Sequence, residues 1–186
     1  MRIRLLLCIL LLGSTAFADA PAISAFVTAS PFAGFDMAAD GHGPSEKRIV
    51  ELGLGGEVSV RVGTRLRLGI GARFDRGKGD DDTGYFVAVP LTVRYGWSIA
   101  QAWEFDLAAG LGPAVAWFSL PIKTFGGEAE LGVGIRHRVS SSVALTFDAG
   151  IRLEYHPANN SDDVYVGGAS LIAGQLPYLR LGATFE

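Results

Sequence analysis

The stretch "YFVAVPLTVRYGW", residues 85–97, alternates almost without error. Tyr85, Val87, Val89, Leu91, Val93, Tyr95 and Trp97 share one parity, and Phe86, Ala88, Pro90, Thr92, Arg94 and Gly96 share the other. Successive side chains of a strand point to opposite faces, so a period of two marks a strand with one face in an apolar medium. Periodicity alone does not say whether that medium is a protein core or lipid. The fold and the function both turn on that choice.

The pattern recurs along the chain. Eight alternating segments lie at about 23–36, 48–60, 65–75, 85–97, 103–117, 125–138 and 143–155, with a last one ending at Phe185. Most are 11 to 15 residues long, against about five or six for a globular strand and about 9 to 11 for a tilted bilayer crossing. Their connections also alternate: long polar ones ("MAADGHGPS", "RGKGDDDTG", "SLPIKT", "HPANNSDD") follow odd-numbered segments, and short ones ("RVGT", "SIAQA", "SSS") follow even-numbered ones. Long loops therefore gather at one end and short turns at the other. Three features strain this scheme. The piece 165–185 is too long for one strand, and "AGQLP" either interrupts it or extends the last loop; Pro31, Pro90, Pro113 and Pro177 sit inside segments, where bulges are expected; and ten strands stand as the alternative to eight.

The N-terminus reads as export information. A basic start (Arg2, Arg4), the apolar run Leu5 to Leu12 and the small-x-small pair Ala16 and Ala18 predict a signal peptide over residues 1–18, with 19–186 as one domain. The apolar run is well below the roughly 20 residues of a spanning helix. Cys8 lies within it, so the exported part has no cysteine and draws stability from something other than disulfides. Removing Arg2 and Arg4 from the 16 basic residues leaves 14 against 19 acidic, a net charge of about −5 that argues against nucleic acid as a partner. Beyond the leader, apolar content is spread as alternation, accompanied by 25 glycines, about twice the usual share.

Three segments indicate which way the apolar face points. In 103–117, Trp103, Phe105, Leu107, Leu111, Val115 and Trp117 oppose Glu104, Asp106, Gly110, Gly112 and Ala114. In 125–138, Leu131, Val133 and Ile135 oppose Glu128, Glu130, Gly132 and Arg136; in 143–155, Leu145, Phe147, Ile151 and Leu153 oppose Asp148, Gly150, Arg152 and Glu154. A solvated outer face would carry Lys, but Lys47, Lys78 and Lys123 all fall in loops or at segment ends. The cations within segments are Arg67, Arg73, Arg94, Arg136, Arg152 and Arg180, whose planar forks suit a crowded site. Opposite them stand Glu51, Glu57, Glu104, Asp106, Glu128, Glu130, Asp148 and Glu154. An Arg facing lipid at the midplane costs about 2–4 kcal/mol, so half a dozen would exceed a typical stability of about 5–15 kcal/mol. The charges are therefore assigned to an interior network, with Arg94 expected to pair with Glu104 or Asp106. Aromatics fall into two girdles: Tyr95, Trp97 and Trp103 beside a short turn, and Phe74, Tyr85, Trp117, Phe125, Tyr155 and Tyr165 beside long loops, with Phe185 closing the last segment.

With these features the chain resembles the small eight-stranded outer-membrane β-barrels, the OmpA/OmpX-like group, over residues 22–185. The tail "YLRLGATFE" contributes, with Leu179, Leu181, Ala183 and Phe185 on the outward parity. The group usually ends in an aromatic residue; here Glu186 follows Phe185. The resemblance implies an all-β, transmembrane, antiparallel up-and-down barrel in the outer membrane of a Gram-negative-type envelope. It implies outer-membrane lipid and lipopolysaccharide as surroundings and the barrel-assembly machinery as a partner during biogenesis.

An eight-stranded interior is wide enough only for side chains, so the expected role is non-enzymatic: a charge-filled lumen with external loops for structural or surface-interaction work. A narrow pore is one alternative. A lipid A-modifying enzyme is another, which would need a His, a Ser and an acid near the outer rim. His42, His156, Ser161 and Asp162 fall in long connections and His137 near a turn, but no deacylase-like His-x-Ser-Asn string is present. Asp80-Asp81-Asp82 and Asp162-Asp163 suggest divalent-cation binding, against the plainer reading of solvated loops. The strings "GLGG", "GLG" and "GVG" are strand glycines with no helix after them, so no nucleotide site is assigned. No catalytic residue, metal site or cofactor is expected, and the ligand of the loops is unknown.

Overall fold

The computed structural model describes residues 21–39, 42–78, 83–118, 123–157 and 169–186; the expected signal peptide, Tyr165 and both acidic runs lie outside the described residues. The described residues form nine strands: β1 (Ala22–Ala39), β2 (His42–Val62), β3 (Leu66–Lys78), β4 (Thr83–Ala88), β5 (Leu91–Ala100), β6 (Trp103–Phe118), β7 (Lys123–Arg138), β8 (Val143–Pro157) and β9 (Ala169–Phe185). Both β4 and β5 lie between β3 and β6, so they are two halves of one barrel strand. Antiparallel pairing runs around the sheet and closes through β1 and β9, giving an eight-stranded antiparallel barrel with no helix among the described residues.

The stretch 85–97 is the place where the barrel strand divides. Val89 and Pro90 fall outside regular strand because proline has no N–H for the ladder. Register is nonetheless kept on both sides: Ala88 pairs with Ala114 and Leu91 with Leu111, while the Val89 N–H donates to the Pro113 carbonyl at 3.1 Å and the Gly71 N–H to the Pro90 carbonyl at 2.8 Å. The expected bulge occurs at Pro31, where the β1–β2 register skips between Ser30 and Ala33. Pro113 opposite Gly127 and Pro177 opposite Ile151 sit in uninterrupted ladders, so no bulge accompanies them on those sides.

Two further expectations need correction. The "AGQLP" stretch is neither loop nor interruption: Ala173, Gly174, Gln175, Leu176 and Pro177 pair in sequence with Tyr155, Glu154, Leu153, Arg152 and Ile151. The first long connection is largely ladder, since β1 and β2 continue until Ala39 pairs with His42. Likewise β3 runs to Lys78 and β4 starts at Thr83. Alternation of apolar residues ends where an apolar medium ends, but backbone pairing has no such requirement and carries the hairpins beyond it.

Burial follows parity throughout. Leu111 and Leu131 are each 68% exposed, whereas Arg152 is 0% and Asp148 1% exposed. The apolar face points outward and the charged face inward, inverting a water-soluble barrel. At the short-turn end, Gly63 takes φ +70° in the turn between β2 and β3, a left-handed conformation that favours glycine. Trp117 lies 14 residues beyond Trp103 along β6. At ~3.3 Å per residue and ~45° tilt these rings are ~33 Å apart along the axis, close to the ~30 Å of bilayer hydrocarbon.

Candidate functional site

All fourteen residues assigned to the interior network lie on the inward parity, each in at least one ion pair. They fall into three tiers. Nearest the long loops, the Arg73 guanidinium from β3 reaches across the lumen to Glu128 at 2.5 Å and Glu154 at 3.2 Å, and binds Asp75 through Nε. The register explains this convergence. Glu128 and Glu154 are directly opposite on β7 and β8, a like-charge cross-strand pair that repels unless a cation sits between them. Arg152 adds weaker pairs to Asp75 at 3.5 Å and Glu51 at 3.6 Å, and the Thr28 hydroxyl donates to Asp75 at 2.8 Å.

In the middle tier Arg94 binds Asp106 at 3.1 Å and Asp148 at 2.9 Å, with Glu57 at 3.9 Å. Of the two partners expected for Arg94, Asp106 is therefore found. Glu104 is not: it lies nearer the turns and pairs with Arg67 at 3.0 Å. Arg180 binds Glu130 at 3.0 Å and approaches Asp148 at 3.7 Å, with its guanidinium 4.4 Å from the Phe26 ring and 5.1 Å from the Tyr178 ring. At the turn end, Arg136 reaches Glu186 at 2.6 Å, and Arg61, Arg67 and Arg138 stand 3.8–3.9 Å from the same carboxylate.

Several of these participants escaped the sequence reading. Asp75 ends the alternating segment 65–75 in the sequence, yet shares the parity of Arg67 and Arg73 on a β3 that runs farther, to Lys78. Arg61 continues the parity of Glu51 and Glu57; Glu186, first noted as an irregular ending, caps the arginine cluster at the turn end. Tyr178 lies in the stretch whose course was open. It is 2% exposed, its ring lies 5.4 Å from the Arg152 guanidinium, and its hydroxyl has no hydrogen-bond partner among the described residues.

The tiers differ in sign. Glu51, Asp75, Glu128, Glu154, Glu57, Asp106, Glu130 and Asp148 face Arg73, Arg152, Arg94 and Arg180 in the upper two tiers, whereas four arginines face Glu104 and Glu186 at the turn end. One consequence is that the buried Glu51 carboxylate has no hydrogen-bond donor among the described residues. A lumen cavity bordered by Arg67, Arg94, Asp106, Asp148 and Arg180 measures about 20 Å³, space for about one water. A second, of about 60 Å³ beside Trp103, Glu104 and Arg136, lies at the turn end.

Outside the lumen, the predicted aromatics form clusters. Phe74, Tyr85 and Trp117 lie with centroids 6.0–6.4 Å apart at the long-loop end. At the turn end Tyr95 meets Trp97 edge to face and Trp97 stacks on Phe105, while Trp103 packs on His137 at 4.2 Å. Phe125, Tyr155 and Phe185 are exposed on the outward face. The side chains of His42 and His156, with Ser161 and Asp162, lie outside the described side chains, and no group of three or more metal-ligating residues occurs among the described residues.

No protein-family model and no curated protein matches the chain. Among solved structures it is similar to Neisserial surface protein A, at 16% identity over 91% of this chain and 98% of that one, with a TM-score of 0.55. It is also similar to the outer membrane protein AlkL, whose structure was solved in lipid bilayers, at 12% identity over 92% of each chain and a TM-score of 0.51. The outer membrane enzyme PagL is similar at 16% identity, over 87% of this chain and 97% of that one, with a TM-score of 0.47. At these identities the likeness is one of fold: the chain has the architecture of the small eight-stranded outer-membrane barrels.

Proposed function

We propose that this protein is an integral outer-membrane β-barrel, exported by residues 1–18, inserted by the barrel-assembly machinery and surrounded by lipopolysaccharide and phospholipid. Its work is non-enzymatic: a lumen braced by ion pairs and external loops serving structural or surface roles. The observation that carries this reading is the inverted burial, with Leu and Val exposed on every face and Arg, Asp and Glu enclosed. In water such a surface would aggregate; in lipid it is the stable arrangement. The small lumen cavity favours a closed barrel over a pore.

Gel mobility of the unboiled membrane fraction tests the reading. The folded protein is expected to migrate anomalously until heated and to resist extraction by carbonate; release in a soluble form with unchanged mobility overturns it. A substitution tests the orientation separately. Leu131→Arg, midway along the outward face of β7, is expected to cost about 2–4 kcal/mol of folding into vesicles, read from urea titration. Ser140→Arg in the β7–β8 turn is expected to change nothing measurable.

A further inference from the structure

The outward face of β3 ends Phe74, Arg76, Lys78, all exposed. Register sets Arg76 opposite Tyr85, Tyr85 opposite Trp117, and Trp117 opposite Lys123, a single row across β3, β4, β6 and β7. Tyr85 and Trp117 are stacked, with centroids 6.0 Å apart and planes at 21°, and Phe74 lies against both. From the turn end up to this aromatic shelf, the described outward strand positions carry no Asp, Glu, Lys or Arg. Arg76 and Lys78 on β3 and the Lys123 position on β7 are the first such charges met along the outward parity, at and just beyond the rings. Neither Arg76 nor Lys78 has an ionic partner among the described residues.

We propose that this row is a binding site for a phosphorylated glycolipid of the outer leaflet. It rests on the barrel reading above, which sets the long-loop end at the cell surface. The half-exposed Tyr85 and Trp117 rings offer aromatic surface against which the C–H face of a sugar ring can pack. Arg76 supplies a fork matched to phosphate oxygens and Lys78 a second charge beside it. The acyl chains then lie against Val87, Val115 and Leu91 on the same side, toward the membrane centre.

The test uses the full barrel folded into phosphatidylcholine vesicles, with Trp97→Phe and Trp103→Phe leaving Trp117 as the only tryptophan, excited at a wavelength that tyrosine does not absorb. Titration with diphosphorylated lipid A is expected to give a saturable change in Trp117 emission. Arg76→Gln with Lys78→Gln is expected to weaken binding roughly 30-fold, at about fivefold per cation near an anionic headgroup. Fully dephosphorylated lipid A is expected to bind the parent protein as weakly as the phosphorylated lipid binds the double variant. Millimolar inorganic phosphate is expected not to displace the lipid, which separates a glycolipid site from a free-phosphate site. Equal binding by parent and double variant, or of phosphorylated and dephosphorylated lipid, overturns the inference. Heat-modifiable mobility of both proteins separates the failures: if the parent itself does not insert, the barrel reading falls with the site; if both insert and bind alike, only the site falls.

Discussion

Arg73→Met is expected to be the most damaging single change among the charged residues of the lumen. Arg73 is 3% exposed and sits where Glu128, Glu154 and Asp75 converge. Removing it leaves those carboxylates enclosed, with Glu128 and Glu154 directly opposed across β7 and β8 and Arg152 standing farther off, 3.5 Å from Asp75 and 4.0 Å from Glu128. Breaking a buried ion pair from one side costs about 3–5 kcal/mol, a large share of a typical stability of about 5–15 kcal/mol. The measurement is urea unfolding in vesicles, followed by gel mobility. Arg73→Lys is expected to recover little, because a point charge cannot hold Glu128 through two nitrogens and Asp75 through a third. Glu128→Gln in the Arg73→Met background is expected to restore part of the loss by removing half of the opposed pair. Arg67→Met provides the contrast. Its partner Glu104 is 19% exposed at the turn end, within reach of water, and the loss there is expected to stay below about 2 kcal/mol. If the two arginine variants cost the same, access of water to Glu104 does not soften the loss at the turn end.

Parity was legible because it is local. Whether Leu145 faces out and Asp148 in follows from their positions in one strand, and the Arg-for-Lys bias within segments indicated which face was enclosed. Closure into eight strands was legible from the alternation of long and short connections, although residues 165–185 left ten strands open. What the sequence could not specify were distances across the lumen. Arg94 was matched with acids on the neighbouring strand, but one of its two close partners, Asp148, comes from β8 on the far side of the barrel. Such pairings depend on strand stagger, which is a property of the closed sheet and not of any one segment. Asp75 and the β1–β2 hairpin were missed for a related reason: backbone ladders outlast the apolar pattern used to delimit them. Glu186 reads in the sequence only as an ending, since its partners Arg61, Arg67 and Arg136 come from β2, β3 and β7.

The glycines around Tyr178 bear on how the lumen closes, and they yield a pair of opposed expectations. A Cβ at Gly150 would collide with the Leu131 carbonyl and come within 2.7 Å of Gly132 Cα, both backbone atoms of the adjoining strand. Nothing there can yield without parting β7 from β8. Gly150→Ala is therefore expected to abolish folding into vesicles, and no change at Tyr178 is expected to rescue it. A Cβ at Gly132 meets the Tyr178 hydroxyl first, with the Ala149 carbonyl next at 3.0 Å. That hydroxyl is buried and has no hydrogen-bond partner among the described residues, so removing it costs no bond and relieves a desolvated polar atom of about 1–3 kcal/mol. Tyr178→Phe alone is thus expected to be neutral or stabilising, and to restore most of the stability lost in Gly132→Ala. The check is a double-mutant cycle on urea midpoints, in which Gly132 and Tyr178 couple by more than about 1 kcal/mol while the Gly150→Ala variant stays unfolded in either Tyr178 background. Additive effects of Gly132→Ala and Tyr178→Phe would mean that the ring does not lie in the glycine groove between β7 and β8.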